Sequence, residues 1–477
     1  MPALCVPAAR SLRSELNPHF DAFVALAQSA ADEPGSMGDL EDGLAEGVRE
    51  MQRLALERAA QKKADGADSS RCPVCGATLE RVSHGHERTV HTRFGPIVIR
   101  RSKGYCLRCG EWRFAADDLL GLDKRATASP GIQHAAALLV SKMPAEEAAK
   151  VLRELTGLPS DDSTLAREAR RQGKRAERIR KKMDEQACDT RGRWEVTEKV
   201  KKDLPPTPFC LVVMMDAWNI RERDAWGKTK ALREAGLDVP SRWHWVYTAT
   251  IFRLDQRAST QSDRPMILSR GYVATRHGLD EFSRQVYAEA VRQGLLVAED
   301  VLVVCDGGVW LWNLAEDRFP RARKRLDFYH ASQHLHAVAD ALHGKSSAEA
   351  RAWVKPLLHQ LRHGGEAGVI ATLEELAGIV EEAKRETVGR EANYFASHST
   401  HMDYAAAAQR GEPIGSGAIE STCRQYQCRF KRPGQFWTIE GDEALLTLET
   451  FWRNERWTTL FPPKTADSTA RKTAARN

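Results

Sequence analysis

Pro208-Phe-Cys-Leu-Val-Val-Met-Met-Asp216-Ala-Trp218 is the stretch from which the fold is read. A short apolar run rich in β-branched residues is the signature of a buried strand, and this one delivers a carboxylate. Two further runs follow, Trp243 to Phe252 and Arg270 to Thr275, dense in Val, Tyr, Thr, Ile and Phe. Leu279 to Gln293 has helical spacing. Val301-Leu-Val-Val-Cys-Asp306-Gly-Gly308 is another strand pattern, ending in a carboxylate and a glycine turn. A helix over Trp310 to Arg318 and a short strand around Arg325 to Phe328 complete the segment.

The order strand, strand, strand, helix, strand, helix, strand predicts a ribonuclease H-like core over residues 205–330. In that arrangement the first and fourth strands are neighbours, so Asp216 and Asp306, each expected to end its strand, share one cleft. Paired carboxylates at strand ends suit two magnesium ions roughly 4 Å apart, which clamp a phosphodiester for in-line attack.

Composition sets the class. The chain has 477 residues, 42% hydrophobic and 29% charged, with a net charge of +6. The length allows about three domains, and the composition is that of an ordinary soluble globular protein. No apolar run approaches a membrane span, and the start of the chain is too weakly apolar for a signal peptide. Ten cysteines include two Cys-x-x-Cys pairs, a pattern that points to metal rather than disulfides in a cytoplasmic protein.

Residues 1–70 read as a helical N-terminal arm, with Lys62 to Ser70 as a linker. Cys72, Cys75, Cys106 and Cys109 flank a predicted hairpin turning at Gly95-Pro96. With Gly76 and Gly110 following each pair, residues 71–125 predict a zinc ribbon holding one structural Zn²⁺ in a closed tetrahedral site. The hairpin arginines Arg88, Arg93, Arg100 and Arg101 are candidates for phosphate contact, a solvated basic face being the alternative.

Residues 126–200 are expected to form a helix-turn-helix followed by a basic helix, with Ser163 as its N-cap. Between Arg167 and Lys182 the chain carries nine cations against two acids. Arg170, Arg171, Lys174 and Arg175 are therefore expected to contact DNA phosphates. Residues 331–412 show only helical spacing, over Ala331 to Leu342, Ala348 to Arg362 and Val369 to Lys384, and predict an all-α insertion. Ile414-Gly-Ser-Gly417 is a turn, and residues 413–460 begin with a helix that carries Glu420, Arg424 and Lys431 and completes the core. Residues 461–477 are a basic tail.

The motifs Cys305-Asp-Gly-Gly-Val-Trp-Leu-Trp-Asn-Leu-Ala-Glu-Asp-Arg-Phe-Pro320, Leu326-Asp-Phe-Tyr-His-Ala-Ser-Gln-His-Leu335 and Pro413-Ile-Gly-Ser-Gly-Ala-Ile-Glu-Ser-Thr422, together with the Cys-x-x-Cys pairs, resemble bacterial insertion-sequence DDE transposases of the ISKra group, related to Mutator-like enzymes. The resemblance covers about residues 70–455. It implies that Asp216, Asp306 and Glu420 bind two Mg²⁺ ions and cut and join double-stranded DNA at element ends, with Arg424 and Lys431 on the DNA. Asp327 and His330 would support them, standing where the Mutator-like relatives have Cys-x-x-His. Glu222, Asp224 or Asp327 is an alternative for one of the three acids. Joining two ends implies a homodimer or higher assembly. The alternative functions are a non-catalytic DNA-binding regulator descended from such an enzyme and a junction-resolving nuclease.

Overall fold

The computed structural model of the protein describes residues 12–32, 35–124, 126–157, 161–204, 207–223, 227–238, 242–261 and 265–462. Most of the expected basic tail, the first residues of the N-terminal arm, and Asp224 lie outside the described residues. The chain divides into two compact units, residues 1–172 and 173–477. The architecture is multi-domain and mixed α/β.

In the first unit, α1 (Leu12–Asp32) and α2 (Met37–Asp65) pair as a helical hairpin. Ser36 opens α2 with a capping box: its hydroxyl accepts from the Asp39 amide, and the Asp39 carboxylate accepts from the Ser36 amide. Helix α2 extends to Asp65, so half of the expected linker is helix. Strands β1 (Glu80–Thr92), β2 (Gly95–Cys106) and β3 (Glu111–Arg113) form an antiparallel sheet. Its hairpin turns on Arg93-Phe94 rather than on Gly95-Pro96, since Gly95 already pairs with Thr92. Ala60 and Ala64 of α2 pack on Val90, Ile97 and Ile99.

After the short helix α3 (Ala115–Leu120) come α4 (Pro130–Lys142), α5 (Ala145–Thr156) and α6 (Asp162–Cys188), the last running across the unit boundary. Gly157, at φ +65°, terminates α5 as its sequence context demands. The cap of α6 is Asp161, not Ser163. The Asp161 carboxylate accepts from the Thr164 amide (2.8 Å) and from the hydroxyls of Ser163 and Thr164, which hold its pKa down to about 2.

The second unit continues with α7 (Thr190–Asp203), β4 (Cys210–Glu222), α8 (Thr229–Glu234), β5 (Arg242–Arg253), β6 (Arg257–Ser259), β7 (Pro265–Ile267) and β8 (Gly271–Thr275). Then come α9 (Leu279–Arg292), β9 (Asp300–Cys305), α10 (Val309–Arg318) and β10 (Arg323–Leu326). Five of these strands build a mixed sheet in the order β10-β9-β4-β5-β8, and β6 and β7 pair as a separate hairpin. The three strands β10, β9 and β4 are parallel, and β5 and β8 are antiparallel additions. One face packs Leu211, Val213 and Met215 against Phe282 and Val286 of α9 and Leu311 of α10.

An all-α segment follows, α11 (Phe328–His343), α12 (Ala348–Arg362), α13 (Glu366–Ile379), α14 (Glu382–Ser397) and α15 (Tyr404–Gln409). It has its own core of Leu335, Val338, Val354, Leu361, Val369, Leu373, Val388 and Phe395. The single helix expected over Val369 to Lys384 is two, broken at Val380-Glu381; their two apolar stripes address different neighbours, α12 and α11. Phe328 is helical rather than the end of a strand. Fully buried Arg325 of β10 ties the exit of this segment to the sheet, donating to Asp403 (2.7 Å) and Glu412 (2.7 Å). Helices α16 (Gly417–Phe430), α17 (Ile439–Arg453) and α18 (Trp457–Leu460) close the chain, α16 lying on β4 and β5 and α17 on β8.

Candidate active site

Strand β4 is longer than its parallel neighbour. β9 pairs with it only from Cys210 to Met214, while β5 stays paired through Glu222. One edge of β4 is therefore released by β9 at Met215, and Asp216 stands on that edge. It lies inside its strand, not at the end, because the β5 partner continues. Carried two places past Met214↔Val304, the register sets Asp216 opposite Asp306. On the other side Cys305 pairs with Leu326, and the Asp327 amide donates to the Cys305 carbonyl (2.8 Å). Asp216, Asp306 and Asp327 thus occupy successive positions of one row across three parallel strands, at the carboxyl ends of β9 and β10. Such ends are where open α/β sheets place ligands.

Each acid is held differently. Asp306 accepts from the Gly308 amide (2.9 Å) in a turn whose Gly307 has φ +91°. A Cβ at Gly307 would meet the Tyr394 hydroxyl at 2.8 Å, so only glycine fits. Burial raises the Asp216 pKa, and the Asp306 carboxylate raises it further, against hydrogen bonds from the Ala217 amide and the Cys423 thiol. Asp327 is fully buried. It caps α11, accepting from the Tyr329 and His330 amides, and also accepts from the Ser416 amide (2.9 Å) and His330 Nδ1 (2.5 Å). Burial alone would push its pKa up; the His330 and backbone donors outweigh it and hold the carboxyl below its ordinary value. The same Asp327 bond raises the His330 pKa, and Asp306 and Asp216 add to the effect.

Glu420 arrives from the opposite direction. The Ile414–Gly417 turn is fastened to Asp327 through the Ser416 amide, and the Phe328 amide donates to the Ile414 carbonyl (3.0 Å). Ser416 then donates to Glu420 Oε1 (3.1 Å) in the first turn of α16. Asp327, His330 and Glu420 each present one ligand atom, all within 4.8 Å of one another. Cys423, one turn on, feels both the Asp216 and Glu420 charges. Asp327, His330 and Glu420 thus cluster together, and Asp216 and Asp306, side by side in register, are near enough to act on the His330 charge. Arg424 is exposed on α16, and Glu420 takes Ser416 as its partner. Lys431 lies just past the helix and donates to Asn219 Oδ1 (3.0 Å).

Glu222 does not join this group. It is fully buried on the far end of β4 with Arg276, Asp442 and His244. The signal was present in its two-residue alternation with Asp216, Trp218 and Ile220, which marks an inward face. Tyr394 is a residue that sequence reasoning missed: its hydroxyl donates to the Asp306 carbonyl (3.0 Å) from α14, 88 residues away.

The four cysteines of the first unit converge. Cys72 Sγ lies 3.9 Å from Cys109 Sγ, and Cys75 Sγ 3.5 Å from Cys106 Sγ. Gly76 and Gly110 adopt φ +72° and +67°, and their amides donate to the Cys72 and Cys106 carbonyls. All four present sulfurs near enough to hold a structural zinc. Two of the hairpin arginines are spent on structure: buried Arg88 (2.8 Å) and Arg101 both pair with Asp117. Arg100 pairs with Glu87 (3.0 Å). On α6, Arg170 and Arg175 are exposed, Arg171 pairs with buried Glu168 (2.5 Å), and Lys174 pairs with Glu440. Among the described residues no helix is long and apolar enough to cross a membrane.

Residues 279–457, less than half of the chain, match the Uncharacterised protein family (UPF0236). No curated protein matches the chain.

Proposed function

We propose that the protein is a DNA transposase of the DDE type, working from a ribonuclease H-like core with an all-α insertion. The observation that carries this reading is the row Asp216, Asp306, Asp327 with Glu420 and His330 against it. The strand order and the mixed parallel pattern support the core. The match to residues 279–457 spans the second acid, the insertion and Glu420.

The donor set fits magnesium. Carboxylate oxygens dominate it, as a hard cation requires, and the Asp216 pKa is raised by burial and, to a lesser degree, by the Asp306 charge, which a cation would offset. Asp216, Asp306 and Glu420 would hold two Mg²⁺ ions, which stabilise both the attacking and the leaving oxygen of a phosphodiester displacement. Asp327 fixes the α11 terminus, the Ser416 turn and the His330 ring, and so sets where Glu420 stands. His330 in its charged form offsets repulsion between Asp216 and Asp306. Double-stranded DNA would be held through the exposed cations of α6, Arg424 and Lys431, and a dimer or larger assembly would bring two ends together.

Incubation of the chain with Mg²⁺ and labelled element-end DNA, beside an Asp306→Asn variant, tests the reading. Mg²⁺-dependent cut and joined products from the parent alone are expected. Cutting without joining would reassign the protein to a nuclease, and no Mg²⁺-dependent product would overturn the enzyme reading.

A further inference from the structure

Beyond the acid row, β4 and β5 continue as a two-stranded ladder in which Asn219 faces Trp245 and Arg221 faces Trp243. Directly opposed residues of an antiparallel pair share a side of the sheet, so these four form one patch. Closer to the core the same side is covered, Tyr247 packing on Phe282 and Trp310. Past that point Trp243 and Trp245 are 56% and 55% exposed. The opposite side of the ladder is sealed by Trp218, Ile220 and Val246, all buried. Two large rings at solvent, two residues apart on one strand, lose most of the burial that tryptophan normally gains.

Cations flank the rings. Arg221 lies 5.9 Å from the Trp243 ring centre and 4.9 Å from that of Phe436. Lys431 Nζ lies 5.6 Å from the Trp243 ring, and Arg223 3.6 Å from Phe436. Lys431 also links two sides of the strand. It follows α16, which packs by Cys423 and Phe430 on the Asp216–Trp218 side, yet its ammonium binds Asn219 on the tryptophan side. Lys431 thus binds β4 at Asn219, on the stretch between its release by β9 at Met215 and its bridge to Trp437 at Glu222. From Asp216 to Asn219 is three strand residues, about 10 Å, a span of a few nucleotides.

We propose that Trp243 and Trp245, with Arg221 and Lys431, form a stacking platform for unpaired bases of single-stranded DNA beside the scissile position. Exposed aromatic rings set among cations are what sequence-tolerant single-strand binding uses: rings take the base faces and cations track the phosphates. None of Asn219, Arg221, Trp243, Trp245, Lys431 and Phe436 is an acid that would select a basic protein partner. That the strand is DNA next to a cleavage centre rests on the transposase reading, but strand binding itself is measured without cleavage.

The test is fluorescence anisotropy of the full chain with a labelled oligothymidylate and with a labelled blunt duplex, without Mg²⁺. Trp243→Ala/Trp245→Ala should weaken single-strand binding at least about tenfold, the range for loss of a base stack. Duplex affinity should stay within about twofold, because cations elsewhere carry it. Trp243→Phe/Trp245→Phe should recover much of the single-strand affinity, and melting temperatures should match the parent, since both rings are exposed. Unchanged single-strand affinity in the alanine variant would overturn the platform, as would an equal loss on the duplex. A parent dimer that becomes monomeric in the alanine variant with strand affinity intact would reassign the patch to self-association. Failure of Mg²⁺-dependent cutting with tryptophan-dependent strand binding preserved would sink the transposase reading and leave the platform standing.

Discussion

The Tyr394 hydroxyl donates a 3.0 Å hydrogen bond to the backbone carbonyl of Asp306, joining helix α14 of the all-α segment to the second acid of the row. The contact is supported from behind: His334 stacks on the Tyr394 ring at 3.6 Å, and His334 Nδ1 bonds Glu391 (2.5 Å). The insertion is thus built against the Asp306–Gly307 turn.

Tyr394→Phe keeps the ring and its stacking and removes only that donor. One net hydrogen bond is about 0.5–1.5 kcal/mol, so DNA cutting is expected to slow by roughly 2- to 10-fold with DNA affinity unchanged. Single-turnover cutting checks this. A parent-like rate would mean that the Asp306 turn holds its shape without the insertion.

The five-stranded sheet was legible because its strands are unmistakable apolar runs. Asp216, Asp306 and Glu420 could be named as candidate ligands from strand ends and motifs. What escaped reading was set by pairing. Nothing local says that β9 stops at Cys305 while β5 carries β4 on to Glu222, and that difference exposes the Asp216 edge. Trp243 and Trp245 read only as strand formers, because exposure depends on where the covering helices end. Val380-Glu381 breaks a helix without proline or glycine, so only packing shows it. Asp327 was within reach: an aspartate ahead of Phe-Tyr-His is a cap signal.

The cysteine cluster makes a metal prediction. The purified chain is expected to carry one zinc by elemental analysis. Cys106→Ser should lose it, because Cys106 is fully buried and its carbonyl and sulfur both anchor the second knuckle. Loss of a structural zinc removes folding energy directly, so the first unit should melt at lower temperature. A Cys106→Ser chain with full zinc and an unchanged melt would refute the assignment.

Cations of α6 are expected to divide into two kinds. Arg170 is exposed, and its neutralisation should lower the salt dependence of DNA binding by about one unit of slope. Arg171 is clamped to Glu168, whose burial raises its pKa. Arg171→Gln should cost stability more than slope, since it strands a buried carboxyl. Salt titrations and thermal melts of the two variants separate these effects; equal slope losses from both would mean that Arg171 leaves Glu168 for DNA.

Asp442 predicts a pH dependence. Burial and the adjoining Glu222 carboxyl push its pKa up to about 9, against the pull of Arg276. In the unfolded chain an aspartate titrates near pH 3.9. The folded chain therefore keeps a proton that the unfolded chain gives up above about pH 4, and stability falls as pH rises from there towards 9. Asp442→Asn keeps the shape and removes the titration. Its melting temperature should exceed the parent's at pH 8 by a few degrees, the gap narrowing by pH 5.5. A variant less stable than the parent at pH 8 would show that Asp442 is held ionised by Arg276.

The acids themselves give the sharpest test, because the proposed function gives Asp327 and Glu420 different duties. Glu420 is partly exposed, and its side chain accepts a hydrogen bond from Ser416. Glu420→Gln should leave fold and DNA affinity alone and reduce cutting about a thousandfold or more, as should Asp216→Asn and Asp306→Asn, since metal binding contributes several kcal/mol to such reactions. Asp327 is buried, caps α11 and holds the Ser416 turn and His330. Asp327→Asn should lower stability by about 1–2 kcal/mol and lose cutting together with it. It should also return the His330 pKa towards its ordinary value, because the Asp327 bond is what raises it. Thermal melts, NMR titration of His330 and cutting assays on the four variants decide between the roles. If Glu420→Gln cuts at the parent rate while Asp327→Asn is dead but as stable as the parent, Asp327 is the third ligand and Glu420 an ordinary helix-cap partner of Ser416.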